Sequence, residues 1–120
     1  MADIEIEVPL RTERASTIRV VAASLGADAG FSVDEIDDFR LAISEVFSVL
    51  VDASPGGRAR VAFTLRGQEV RATIGEIDAE TPIELDDLAL GILRSVLDEF
   101  TIIDNSAHLM KRAFETATTG

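Results

Sequence analysis

Phe31-Ser32-Val33-Asp34-Glu35-Ile36-Asp37-Asp38-Phe39-Arg40-Leu41-Ala42-Ile43-Ser44-Glu45-Val46-Phe47 is the stretch on which the reading of the fold turns. Ser32 followed by Glu35 three residues later is a capping box, in which each side chain accepts a hydrogen bond from the other residue's backbone amide. Phe31 and Ile36 occupy the two staple positions around it. Asp34, Glu35, Asp37 and Asp38 crowd the first turns, where the helix dipole favours negative charge. Ile36, Phe39, Ile43, Val46, Phe47 and Leu50 then form one broad apolar stripe, and Ser54-Pro55-Gly56-Gly57 ends the helix.

The flanks have other periods. Ile4, Ile6 and Val8 alternate with Asp3, Glu5 and Glu7 up to Pro9, which predicts a half-buried strand. Thr12 is placed to cap a helix over 12–25, with Ala15, Ile18, Val21, Ala22 and Leu25 at helical spacing and Gly26 as its stop. Arg11, Arg14 and Arg19 are its basic side chains. After the long helix, Val61, Phe63 and Leu65 alternate on one strand and Val70, Ala72 and Ile74 on the next, with a tight turn at Gly67. A polar loop from Gly75 to Leu85 leads to a helix whose apolar face is Leu88, Ile92, Leu93, Val96 and Leu97. A last hairpin enters through Thr101 to Ile103, turns at Asp104-Asn105-Ser106 and returns from Ala107 to Phe114. The order strand, two helices, two strands, helix, two strands predicts a two-layer α/β sandwich. Residues 1–114 form one domain in this reading, and 115–120 a flexible tail.

Composition narrows the function. The 120 residues are 47% apolar and contain no cysteine, so neither a disulfide nor a thiolate zinc site is available. No signal-like segment or apolar run of spanning length is present, and a cytoplasmic location is expected. The formal charge is -11, which disfavours direct binding to nucleic acid or to anionic lipid. From Glu76 to Asp104 nine acids face one base, Arg94. Such a run reads either as a solvated face or as a docking surface for a basic protein. The acids and His108 show no metal-ligand spacing, and no catalytic triad is legible.

The run from Phe39 to Val46 resembles the ATP-site helix of the GHKL ATPases, in the version found in bacterial anti-sigma-factor serine kinases. Leu90 to Phe100 is similar to that family's last helix and following strand, and Arg19 to Leu25 to its first helix. The element order matches across nearly the whole chain. The resemblance implies a Bergerat-type fold, with a mixed, mostly antiparallel sheet covered on one face by three helices. It also implies ATP with magnesium as cofactor, and a sigma factor or an anti-sigma-factor antagonist as partner. Dimers are common in the family, and a homodimer is expected here. The charged strand at 3–9 has an edge needing cover, although the same acids suit keeping monomers apart.

The residues depart from the family's ATP chemistry. Glu45 matches the catalytic glutamate, but Val49 stands where an asparagine helps to hold magnesium, and an isopropyl group offers no lone pair. The Asp-x-Gly-x-Gly motif aligns with Glu76-Ile77-Asp78-Ala79-Glu80, in which the carboxylate survives and both glycines are acids. At the phosphate loop the glycine positions are Asp87 and Ala89, preceded by Asp86. A carboxylate about 4 Å from a phosphate charge opposes it by roughly 1–4 kcal/mol.

The expected function is therefore that of a non-catalytic, anti-sigma-like regulator that binds proteins and takes no nucleotide cofactor. Arg19, on the helix that the resemblance assigns to partner binding, and the acids Asp86 and Asp87 are the candidate contacts. Two alternatives stay open. One is a divergent serine/threonine kinase that uses Glu45 and Glu76, and the other is a small-ligand sensor in an altered pocket.

Overall fold

The computed structural model describes residues 2–79 and 82–114. Along the chain it forms β1 (Ile4–Pro9), a 3-10 turn (Thr12–Arg14), α1 (Ala15–Asp28), α2 (Val33–Ala53), β2 (Arg58–Arg66), β3 (Glu69–Glu76), α3 (Asp87–Val96), β4 (Glu99–Ile103) and β5 (Ser106–Arg112). The strands make one sheet in the order β1-β2-β3-β5-β4.

Every pairing in that order is antiparallel, where a mixed sheet was expected. The reason lies in how α3 returns the chain. β3 and β4 run in the same direction, but β5 inserts between them and pairs antiparallel with both. Two parallel strands joined through a helix thus never touch.

Period-two alternation sorts the sheet into two faces. Val8, Ala59, Val61, Phe63, Val70, Ala72, Ile74, Ala107 and Leu109 are buried and share the core with the helices. The opposite face is polar and laced with ion pairs. Arg60 lies 3.7 Å from Glu5, Arg71 and Arg112 lie 2.6 and 3.1 Å from Glu69, and Arg71 reaches Glu99 at 3.6 Å. Such pairs at solvent contribute little stability each, but they keep this face soluble.

The helical layer departs from the sequence reading in detail. Thr12 caps nothing, because the chain enters α1 through a 3-10 turn whose preceding residue, Arg11, makes no side-chain cap. Gly26 does not stop α1, which runs on to Asp28. Its missing side chain serves packing instead, since a β-carbon there would lie 2.8 Å from the buried Phe31 ring and 3.3 Å from Ile36. The staple residues thus close over α1 as well as over their own helix. On α3 the buried positions are Ala89 and Leu93, with Leu97 buried just past its end, while Leu88, expected on the apolar face, is 75% exposed.

At the start of α2 the capping box forms as read. The Ser32 hydroxyl accepts from the Glu35 amide at 3.1 Å, and the Ser32 amide donates to Glu35 Oε1 at 2.8 Å. The second carboxylate oxygen of Glu35 accepts from the Phe114 amide at 2.7 Å, which ties the end of the sheet to the helix. Lys111, the one lysine of the chain, is buried nearby, and its Nζ donates to the carbonyl of Val96 in the last turn of α3 at 2.7 Å. Burial pushes the Glu35 carboxyl up. The amides of Ser32 and Phe114, the Ser32 hydroxyl and the Lys111 charge outweigh that and hold it below its ordinary value.

A carboxylate with a lowered native pKa stabilises the fold above its unfolded value, and that stability is lost as pH falls through the native value. Glu35→Gln is therefore expected to cost about 1–2 kcal/mol at neutral pH, since the amide nitrogen cannot accept from Phe114. The gap from wild type should close as pH falls below about 4.5. Urea unfolding across that range measures it, and a gap independent of pH contradicts the assignment.

Candidate functional site

α2 ends where the sheet's connecting loops converge, and a cavity of about 590 Å3 lies between them. Its walls come from the last turn of α2 (Val49, Leu50, Asp52, Ala53), the end of β3 and its loop (Glu76, Ala79), the segment Pro82, Ile83 and Glu84, and Asn105 in the β4–β5 turn. Two of the residues singled out in the sequence, Val49 and Glu76, thus meet across it although 27 positions separate them. Glu45 and Asp87 do not line it. Glu45 sits one turn earlier on α2, half-buried, and Asp87 opens α3 in solvent.

Local contacts shape the cavity. The Ser54 hydroxyl donates to Glu76 Oε2, so the carboxylate leans on the turn that ends α2. Gly57 makes room for that contact, since a β-carbon there would lie 2.8 Å from Glu76 Oε2 and 3.0 Å from the Ser54 hydroxyl. Asn105 Nδ2 donates to the Ala79 carbonyl at 2.8 Å and ties the β4–β5 turn to the loop after β3. Asp78 has φ of +63°, the left-handed region. That is the conformation a glycine adopts freely, at the position where the resembled motif has its first glycine. The backbone keeps the bend, and aspartate is among the side chains that tolerate it. Glu80, at the second glycine position, lies outside the described residues, as does the tail 115–120.

α3 begins with a self-made cap. Asp86 is its N-cap residue, and its carboxylate accepts from the Ala89 amide at 2.8 Å. The Leu90 amide bonds the Asp86 carbonyl at 3.0 Å. Asp86 also borders a second groove, formed with Ile83, Glu84, Leu85, Leu90 and Ile102 on the other side of the same segment. The acids Asp52, Glu76, Glu84 and Asp86 consequently gather at one corner of the molecule, with no basic residue in either lining among the described residues. Among the described residues no group of three or more acidic or histidine side chains is placed to hold a metal ion.

Arg19 is half-buried and does not simply point away from α1. Its Nη1 donates to the Ser44 hydroxyl of α2 at 3.1 Å, which lays the guanidinium across the groove between the two helices. His108 sits half-buried on the polar face of the sheet, opposite Thr73 and Thr101. Sequence reasoning missed Asp52, Ser54, Glu84 and Asn105. Asp52 does fall one helical turn after Val49, the spacing that places two side chains on one wall. The Asn105 contact spans 26 positions and has no local signature.

No family model matches the chain. It is similar to the serine-protein kinase RsbW of Halalkalibacterium halodurans, 25% identical over 124 residues that cover 86% of this chain and 76% of that one. Among solved structures it matches the crystal structure of the RsbU and RsbW domains of a Mycobacterium tuberculosis protein. The TM-score there is 0.70 at 23% identity, over 97% of this chain and 34% of the other. The chain thus spans about a third of that protein. The similarity to this kinase agrees with the resemblance read in the sequence, and the fold is the RsbW type. No helix among the described residues is long and apolar enough to cross a membrane.

If the left-handed bend at Asp78 is intrinsic to the site, Asp78→Gly should fold with stability within about 0.5 kcal/mol of wild type. Asp78→Val should cost about 1–3 kcal/mol, because a β-branched residue is strained there. Denaturant titration of the two variants checks this, and a valine variant as stable as wild type refutes the bend.

Proposed function

We propose that this homologue of RsbW-type kinases is a non-catalytic, cytoplasmic regulator of transcription that works by holding a protein partner, a sigma factor or an anti-sigma-factor antagonist. The homology supports the regulatory, partner-switching role. The start of α3 carries the non-catalytic half of the reading. In a nucleotide-binding version of this site, free amides at a helix start receive phosphate. Here the Ala89 amide is taken by the chain's own Asp86 carboxylate, with Asp87 beside it. A phosphate in that place meets the negative charges of Asp86 and Asp87. Val49 adds no oxygen ligand for magnesium on the facing wall. The residues present do not fit ATP.

The alternative, a divergent serine/threonine kinase, draws on similarity to a chain named as a serine-protein kinase and on the carboxylates Glu45 and Glu76. Calorimetry with ATP or ADP and magnesium separates the two. No binding tighter than about millimolar is expected, and a micromolar dissociation constant, about 8 kcal/mol, overturns the non-catalytic reading.

Arg19 is the proposed partner contact. Ser44 engages one edge of its guanidinium, which orients the remaining donors for a carboxylate of the partner. Arg19→Ala should speed dissociation and cost about 2 kcal/mol or more if the pair is desolvated. Ser44→Ala, which keeps the charge, should cost less. Surface plasmon resonance on a captured partner reads both, and equal binding by Arg19→Ala and wild type makes this residue structural only.

A further inference from the structure

The sheet has two outer strands, and they are finished differently. β1 carries Glu5 and Glu7 and ends in Pro9, features that discourage a further strand from pairing with it. β4 pairs with β5 on one side, and among the described residues no strand pairs with its other side. Its sequence, Glu99-Phe100-Thr101-Ile102-Ile103, contains no proline and no lysine, and its one charge stands at the first position. A row of backbone amides and carbonyls thus faces outward along a strand rich in β-branched residues.

The side chains beside that row are spaced as a strand partner needs. Phe100 and Ile102 lie opposite the buried Leu109 and Ala107, yet each is only half-buried and each lines an open groove. One groove, of about 720 Å3, sets Ile102 with Ile83, Leu85 and Leu90. The other, of about 440 Å3, sets Phe100 with Leu97 and Arg94. Two residues along a strand span about 7 Å, so side chains i and i+2 of an added strand reach one groove each.

The charge around the edge fixes the sign of the occupant. Glu84 and Asp86 border the first groove, Asp98 and Glu99 the second, and Asp104 lies in the turn after β4. Among the described residues Arg94 is the one base in either lining. An acidic strand is repelled there, and a second copy of this edge would bring its own acids against these. A helix would leave the outward amides and carbonyls of β4 without partners.

We propose that the free edge of β4 is a docking site for an extended, basic segment of a protein partner. The segment adds to the sheet as a further strand, with apolar side chains two residues apart seated in the two grooves. The surface includes no residue of α1, so the inference does not rest on the contact assigned to Arg19.

The probe is an acetylated and amidated ten-residue peptide in which lysine and valine alternate, titrated into the full chain by calorimetry and NMR. Saturable binding of one peptide per chain is expected, with a dissociation constant of about 100 µM or below. Amide resonances of Leu90 and of Phe100 to Ile103 should shift. N-methylation of all the valine amides, or of all the lysine amides, gives two further peptides. Successive residues of a strand turn their amides to opposite sides, so one of these should bind at least about tenfold more weakly and the other within about threefold of the parent. A peptide with glutamate in place of lysine should not bind at about millimolar concentration. Glu84→Gln combined with Asp104→Asn spares the Asp86 cap and suits the left-handed φ of residue 104. It should weaken binding about threefold or more and flatten its salt dependence, while Asp28→Asn with Asp34→Asn should leave binding within about twofold. The proposal fails if the peptide does not bind, if the shifted amides lie on β1 or α1, or if both N-methylated peptides bind alike. It also fails if the glutamate peptide binds as well or the two double variants weaken binding equally. Self-association of the chain alone, with the same β4 amides shifting as concentration rises, overturns it too, since a second copy then covers this edge.

Discussion

The Glu35 carboxylate receives amides from two distant parts of the chain, and the attachment of helices to sheet depends on it. One oxygen completes the cap of α2 and the other receives the amide of Phe114, just past the end of β5. Either role alone is ordinary: a cap contributes about 1 kcal/mol, and a charged acceptor for one amide somewhat more. Combined, they fix where the start of the longest helix sits on the sheet. Lys111 reinforces the arrangement from below, since it caps the C-terminus of α3 and places a positive charge near Glu35. Two helix ends of opposite polarity are thereby satisfied by one acid and one base on the same side of the core.

That pairing also marks the limit of what the sequence disclosed. Ser32 and Glu35 announce the cap because both partners lie within one turn, and the apolar stripe of α2 announces its buried face for the same local reason. The Phe114 contact spans 79 positions and leaves no local pattern. Gly26 was misread on similar grounds. A glycine after an apolar run is most often a helix stop, yet here it is the gap into which the Phe31 ring fits. Leu88 failed because an apolar residue in the first turn of α3 matches the stripe by count while the helix's rotation on the sheet leaves it in solvent.

At the site, backbone geometry agrees with the resembled motif where side chains do not. Asp78 has the left-handed turn that a glycine adopts freely, Gly57 lets Glu76 pack against the end of α2, and Val49 lines one cavity with Glu76. Val49, Glu76 and Asp78 were legible because the resembled motifs fix their spacing along the chain, whereas Gly57 read only as part of the stop of α2. The groups that set the cavity's polarity were not. Asp52, Glu84 and Asn105 come from a helix end, a loop and a hairpin turn, which only the folded topology brings together.

The polarity of this corner follows from a small number of groups. The end of α2 lines the cavity and the start of α3 borders the neighbouring groove, so the dipole end that each presents bears on the charge of this corner. At α3 the positive end is neutralised at its source, since the Asp86 carboxylate takes the Ala89 amide and adds a full negative charge beside it. At α2 the negative end keeps its sign, because its last turn carries Asp52 and no base. An anion site here would therefore require more than an asparagine at Val49. Asp86 would have to go, which costs the cap of α3, and the acids Asp52 and Glu84 would still oppose a phosphate. Both helix ends at this corner thus present negative charge, one through the Asp86 carboxylate and the other through terminal carbonyls beside Asp52.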